Sequence, residues 1–230
     1  MMLSLVIPCF NEEKNLPLLV ERCHVLCETR DVEVILVDNG STDNTPQVLS
    51  ELLIEGSQCR SIRVEKNQGY GYGILEGLRS ARGGILAWTH ADLQTDPCDV
   101  MVGKKLFELN GEATFVKGKR YGRPWSDTVF TIGMSIFETL LLRNFFWDVN
   151  AQPNIFSKAF FQSWVNPPHD FSLDLFVYHE VKRQELKIVR FPVRFEKRAY
   201  GTSHWNVDWK SKIKFIKRTI EFSLILKKRY

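Results

Sequence analysis

Short β-branched runs recur through the first half of the chain: LSLVIPC (3–9), VEVILVD (32–38), SIRVEK (61–66), GGILAWTH (83–90) and ATFVKGK (113–119). Helical patterns alternate with them. The plainest lies between the first two runs, where Leu16, Leu19, Val20, Cys23 and Cys27 return at three- and four-residue steps and give a helix one apolar face. Strand and helix in alternation predict βαβ units and a mainly parallel sheet flanked by helices. A polar loop, 39–44, ends the second strand, and Asp43 to Pro46 carry the signals of a helix start.

The rhythm breaks at Ser126. A long amphipathic helix is expected over 127–142, then an aromatic segment, WDVNAQPNIFSK, and a helix near 171–184. KIVRFPVRFEKR reads as a strand whose Pro192 favours an edge or a bulge. A last helical pattern runs from about Asp208 to the end. At 230 residues, 44% hydrophobic and 25% charged, the chain fits one large α/β domain with a short appendage, divided as 1–206 and 207–230.

Charge sharpens that division. Residues 209–230 hold eight basic residues against Glu221 alone, while the rest of the chain has a small acidic excess. Ile213, Ile216, Ile220 and Leu224 recur at helical spacing among those bases, the pattern of a helix lying on an anionic membrane surface, packed on the domain's own core, or doing both through two apolar faces. No apolar run is long enough to cross a bilayer, and the N-terminus lacks the basic start of a secretory signal, so a cytoplasmic, peripherally bound protein is expected. Five cysteines without a CxxC pair suit reduced thiols, and Cys23, His24 and Cys27 find no second ligand pair for zinc.

In open α/β sheets ligands bind beyond the carboxyl ends of the strands. Those loops are polar here: Asn11-Glu12-Glu13, Asp38 to Asp43, Asn67-Gln68-Gly69, and His90 to Gln94. A nucleotide-sized cleft follows. NQGYGYGILEG does not meet the GxGxxG fingerprint, and the P-loop, nucleophile-elbow and HExxH patterns are absent, which leaves carboxylates suited to a divalent cation. The acidic loops also argue against a nucleic-acid partner.

Taken in order, VIPCFNEEKN, VDNGSTDNT, NQGYGYGILEGL, HADLQTDP, KGKR and RAYGTSHW resemble family 2 glycosyltransferases of the GT-A fold, and within them the polyprenyl-phosphate glycosyltransferases, across residues 3 to 204. The resemblance implies an inverting enzyme that moves a sugar from a nucleoside-diphosphate sugar to a polyprenyl phosphate or another membrane-associated acceptor. A hydroxyl-bearing acceptor, or an inactive nucleotide-sugar-binding protein, are the alternatives. It further implies that Pro8, Asn11, Glu12 and Asp38 hold the nucleotide. Asp92 and Gln94, with His90 open between ligand and structural residue, would bind Mn²⁺ or Mg²⁺, the family's Asp-x-Asp reading HADLQ here. Arg198, Gly201 and Ser203 match a diphosphate-binding RxxGxS segment, Arg120 would meet a donor or acceptor phosphate, and Asp174 the acceptor or its loop. Asn39, where related enzymes often carry a second Asp, is a further departure.

Overall fold

A computed structural model of the chain describes residues 1–123, 125–198, 200 and 209–229. Its strands are β1 (Leu3–Cys9), β2 (Val32–Asn39), β3 (Cys59–Val64), β4 (Ile85–Trp88), β5 (Thr114–Tyr121), β6 (Asn154–Ser157) and β7 (Lys187–Arg194). The helices are α1 (Leu16–Cys27), α2 (Thr45–Leu52), α3 (Tyr70–Ser80), α4 (Val100–Asn110), α5 (Trp125–Leu142), α6 (Lys158–Gln162), α7 (Leu173–Arg183) and α8 (Trp209–Arg229), with a single 3₁₀ turn at Pro97–Asp99.

All seven strands form one sheet in the order β3-β2-β1-β4-β6-β5-β7. Every residue of β2 is buried, as expected of a central strand covered on both faces. The strand period of two divides the core. Leu3, Leu5 and Ile7 of β1 point into a cluster with α1 and Phe107 of α4, whereas Val6 points the other way, toward Ile74 of α3, Trp88 and Phe176 of α7. β7 lies at the sheet edge, where Pro192 costs no ladder bond.

One strand was not foreseen. β6 has four residues and lies inside the aromatic Asn/Pro segment, where its short polar start gives no β pattern. It runs antiparallel to β4 and β5, so the sheet is mixed. The reversed direction sets Asn154 opposite Trp88, at the carboxyl end of β4. A cis peptide joins Gln152 to Pro153 just before it. Gly118 of β5 makes room for that approach, since a Cβ there would collide with Gln152 O.

α8 packs on α5. Phe222, Ser223 and Leu226 turn inward, while Leu224, Ile225, Lys227 and Lys228 face solvent. No helix among the described residues is long and apolar enough to cross a membrane.

Candidate active site

The strand order reverses at β1, which lies between β2 and β4, and a cleft is expected where the loops leaving such neighbours part. A cavity of about 670 Å³ occupies that place. Pro8 and Glu12 reach it from β1, Asn39 from β2, His90, Asp92 and Gln94 from β4, Arg120 and Arg123 from β5, and Lys197 and Arg198 from β7. Asp170 to Asp174, α5 and α8 complete the wall.

The turn after β4 is built around Leu93, which holds φ at 56°, a conformation that costs a branched side chain about 1 kcal/mol. Gln94 N donates to Asp92 Oδ1 at 3.2 Å. Across the cavity, Arg198 pairs with Asp92 Oδ2 at 2.8 Å, and its Nε donates to Gln94 Oε1 at 3.2 Å. Gln94 also fastens the loop after β7: Glu196 N donates to its carbonyl at 2.8 Å, and its Nε2 donates to Glu196 O at 3.2 Å. Thus Asp92 and Gln94, expected around a cation, both meet the guanidinium expected on the diphosphate. A hard carboxylate paired with a partly solvent-exposed guanidinium suits a divalent ion that takes most of its oxygens from substrate and water. Among the described residues no cluster of three His, Cys, Asp or Glu side chains offers a complete protein cage.

His90 lines the cavity and stacks on Tyr70, centroids 5.4 Å apart, with Phe171 on the other side of Tyr70 at 4.5 Å. Burial holds its imidazole below the ordinary histidine range, against the opposing pull of Asp92 and Asp174. Glu12 accepts from Asn15 Nδ2, and burial raises its carboxyl.

Asp174 sits on the floor. Its Oδ1 accepts from Gln152 Nε2 at 2.9 Å and Asn154 Nδ2 at 3.2 Å. Asn154 in turn accepts at 2.6 Å from Lys117, which also donates to Ala151 O. Burial raises the Asp174 carboxyl despite Lys117 and His90, and lowers the Lys117 ammonium to about 7. A second ionic centre surrounds Asp148. Arg120 Nε donates to its Oδ1 at 3.0 Å, with Arg123 at 3.7 Å and Arg190 at 3.9 Å. Burial would lift this carboxyl, but Arg120, then Arg190 and Arg123, hold it below its usual range.

Two expected nucleotide residues lie outside the cavity lining. Asn11 clamps the first two loops, its Oδ1 accepting from Thr42 N at 2.9 Å. Asp38 is 2% exposed, accepts from Ser41 N at 3.0 Å and lies 3.5 Å from Arg63. Asp43 accepts from Thr45 N, as a residue opening α2 should. Gly201 and Ser203 lie outside the described residues. Sequence patterns assigned no role to Lys117, Gln152, Arg123 and Glu138, although Glu138, an acid inside an apolar helix, carried a visible signal.

A fork that bonds two oxygens at once is not replaced by a point charge. Arg198→Lys should therefore lower kcat/KM for donor at least about tenfold, as a lost charged hydrogen bond does. Wild-type kinetics in Arg198→Ala would make the residue a surface charge only.

Comparison with known proteins agrees with this architecture. The sequence model described as Glycosyl transferase family 2 matches residues 4–174. An undecaprenyl-phosphate 4-deoxy-4-formamido-L-arabinose transferase from Aeromonas hydrophila is 33% identical over 102 residues, 43% of this chain and 31% of that protein. A dolichol-phosphate mannosyltransferase from Mycosarcoma maydis is 35% identical over 125 residues, 52% of this chain and 42% of its own length. The chain thus spans less than half of either relative. Among solved structures, glucosyl-3-phosphoglycerate synthase from Mycobacterium tuberculosis with phosphoglyceric acid superposes at a TM-score of 0.76 and 17% identity, over 98% of this chain and 79% of that one. The same enzyme with Mn²⁺, uridine diphosphate and glucosyl-3-phosphoglycerate gives 0.72 at 17% identity, with the same coverage. With a family match over most of its length and the corresponding fold beneath it, this chain belongs to glycosyl transferase family 2.

Proposed function

We propose that the protein transfers a glycosyl group, with inversion, from a nucleoside-diphosphate sugar to a polyprenyl phosphate. The observation that carries this is a pair of separately anchored guanidinium centres in one cavity, Arg198 on Asp92 and Arg120 on Asp148. Two anions that must react need two such positions. The donor diphosphate belongs at the first and the acceptor phosphate at the second, where three arginines surround one carboxylate.

A phosphate oxygen of the acceptor attacks the anomeric carbon while the bond from that carbon to the diphosphate oxygen breaks. The attacking oxygen is already ionised, so no side chain has to remove a proton. Arg198 gives the departing diphosphate a two-pronged hydrogen bond, and Asp174, fixed by Gln152 and Asn154, orients the floor beneath the acceptor. Mn²⁺ or Mg²⁺, held by Asp92 with Gln94 and His90 at hand, would offset the charge of the leaving group. The relatives' names, which include undecaprenyl-phosphate and dolichol-phosphate transferases, and the Mn²⁺ and uridine diphosphate in the similar solved structure support these assignments.

Incubation of the chain with Mn²⁺, labelled nucleotide sugars and undecaprenyl phosphate should move label into an organic phase. Label that stays in water, on sugar or on a hydroxyl compound, rejects the lipid acceptor.

The outer face of α5 suits a membrane-borne acceptor. Trp125 is 84% exposed and Leu140 75%, with Phe145 just beyond the helix at 64%. Lys217, Lys227 and Lys228 lie exposed on α8, the helix packed on α5. Apolar side chains beside basic ones match an anionic leaflet, each base adding on the order of 1 kcal/mol. The protein should sediment with anionic vesicles at low salt and less with neutral ones. Equal recovery in the supernatant under all conditions rules out the surface role.

A further inference from the structure

Glu138 lies one helical turn after Ser135 and two after Thr131, on the face of α5 that lines the cavity. It is 4% exposed, and its Oε2 has no hydrogen-bond partner among the described residues. Burying such a group without a partner is costly, and an apolar residue in its place would pack without that penalty. Burial pushes the carboxyl up to about 8. Unlike Asp148, which pairs with three arginines, Glu138 forms no ion pair among the described residues. From α8 the same cavity receives Thr219 and Arg218, the latter 3.6 Å from Asp170 and lying over the Phe171 ring.

The chemistry of a partner follows by exclusion. An anion would find no positive charge at Glu138 and belongs with the arginines. A hydrocarbon chain would leave Oε2 unpaired. A cation would seek further carboxylates, and none joins Glu138 in a ligand cluster among the described residues. A neutral hydroxyl fits: it donates a hydrogen bond to one carboxyl oxygen and accepts one from the O–H that the buried acid keeps at neutral pH.

We infer that Glu138 is a hydroxyl-binding residue of this cavity, taking a neutral hydroxyl either of the transferred sugar or of a hydroxyl-bearing acceptor. The inference rests on the glycosyltransferase reading of the site. Ser135 and Thr131 flank it on the same face; Ser135 Oγ accepts from Asp148 N, and Thr131 Oγ1 accepts from Arg123 at 2.8 Å, so Glu138 lies a turn beyond the cationic centre.

The test uses the full chain with Mn²⁺ and titrates UDP-glucose, GDP-mannose, UDP and GDP into wild type, Glu138→Leu and Glu138→Gln, with circular dichroism to verify folding. If the hydroxyl comes from the donor, Glu138→Leu weakens the nucleotide sugar that wild type binds at least about tenfold, and free nucleoside diphosphate less than about twofold. Glu138→Gln, which still donates and accepts, restores most of the loss. If the hydroxyl comes from the acceptor, donor affinity is unchanged. In that case Glu138→Leu raises KM for phosphoglyceric acid at least about tenfold, and leaves KM for undecaprenyl phosphate alone. A folded Glu138→Leu equal to wild type on every ligand overturns the inference, as does equal weakening of sugar and nucleotide. A wild type that binds no nucleotide sugar removes the glycosyltransferase reading itself, and this one with it.

Discussion

Asp92→Asn should lower transfer by at least about a thousandfold, the scale of losing several kcal/mol of charge stabilisation at a leaving group. The amide keeps the shape and can still accept from Gln94 N, so the turn after β4 persists. What disappears is the negative charge, and with it both the attraction for a divalent ion and the pairing of Arg198 at 2.8 Å. Folding should change less than activity: the carboxylate is buried, but its partner Arg198 is about a quarter open to solvent, so water takes over the guanidinium when the pair is lost. Activity titrated with Mn²⁺ and a thermal melt separate the two effects. An Asp92→Asn enzyme with normal turnover and the same metal dependence would falsify the metal assignment.

Glu138→Gln should make the protein more stable by on the order of 3 kcal/mol at pH 7, and by little at pH 4. The sign comes from the elevated carboxyl. An unfolded chain releases this proton near the ordinary glutamate value, whereas the folded chain keeps it to about pH 8. Over that interval the native state holds more protons than the unfolded state, so wild-type stability falls as pH rises and levels off above about 8. The amide does not titrate, and its curve lacks this slope. Chemical denaturation from pH 4 to 9 measures the difference; parallel curves for the two proteins would show that Glu138 ionises freely in the fold. Stability gained at a cavity residue, with sugar or acceptor binding retained by the amide and lost in Glu138→Leu, would match the trade expected of a binding group.

The βαβ half of the molecule was legible because its inner strands β1, β2 and β4 are buried on both faces, so apolar runs such as VEVILVD announce themselves. The strand ends then put Glu12, His90, Asp92 and Arg120 on one edge, and all four line the cavity. β6 escaped because its neighbours, rather than its composition, make it a strand. For the same reason Gln152 and Asn154 gave no warning that they would grip Asp174. Asn11 and Asp38, expected to hold the nucleotide, lie outside the cavity lining. Polar loop residues look alike in sequence whether or not they also tie one loop to the next, as Asn11 does with Thr42.

α8 has two separate attachments. Its inner residues Phe222 and Leu226 pack on the core, and Arg218 and Thr219 form part of the cavity wall, while Lys217, Lys227 and Lys228 look outward. A trimmed protein ending before residue 209 would therefore lose a side of the binding chamber along with its basic tail. The arrangement also has a thermodynamic corollary: if a bilayer shifts how firmly α8 rests on α5, it changes substrate affinity, and by reciprocity bound substrate changes lipid affinity by the same factor.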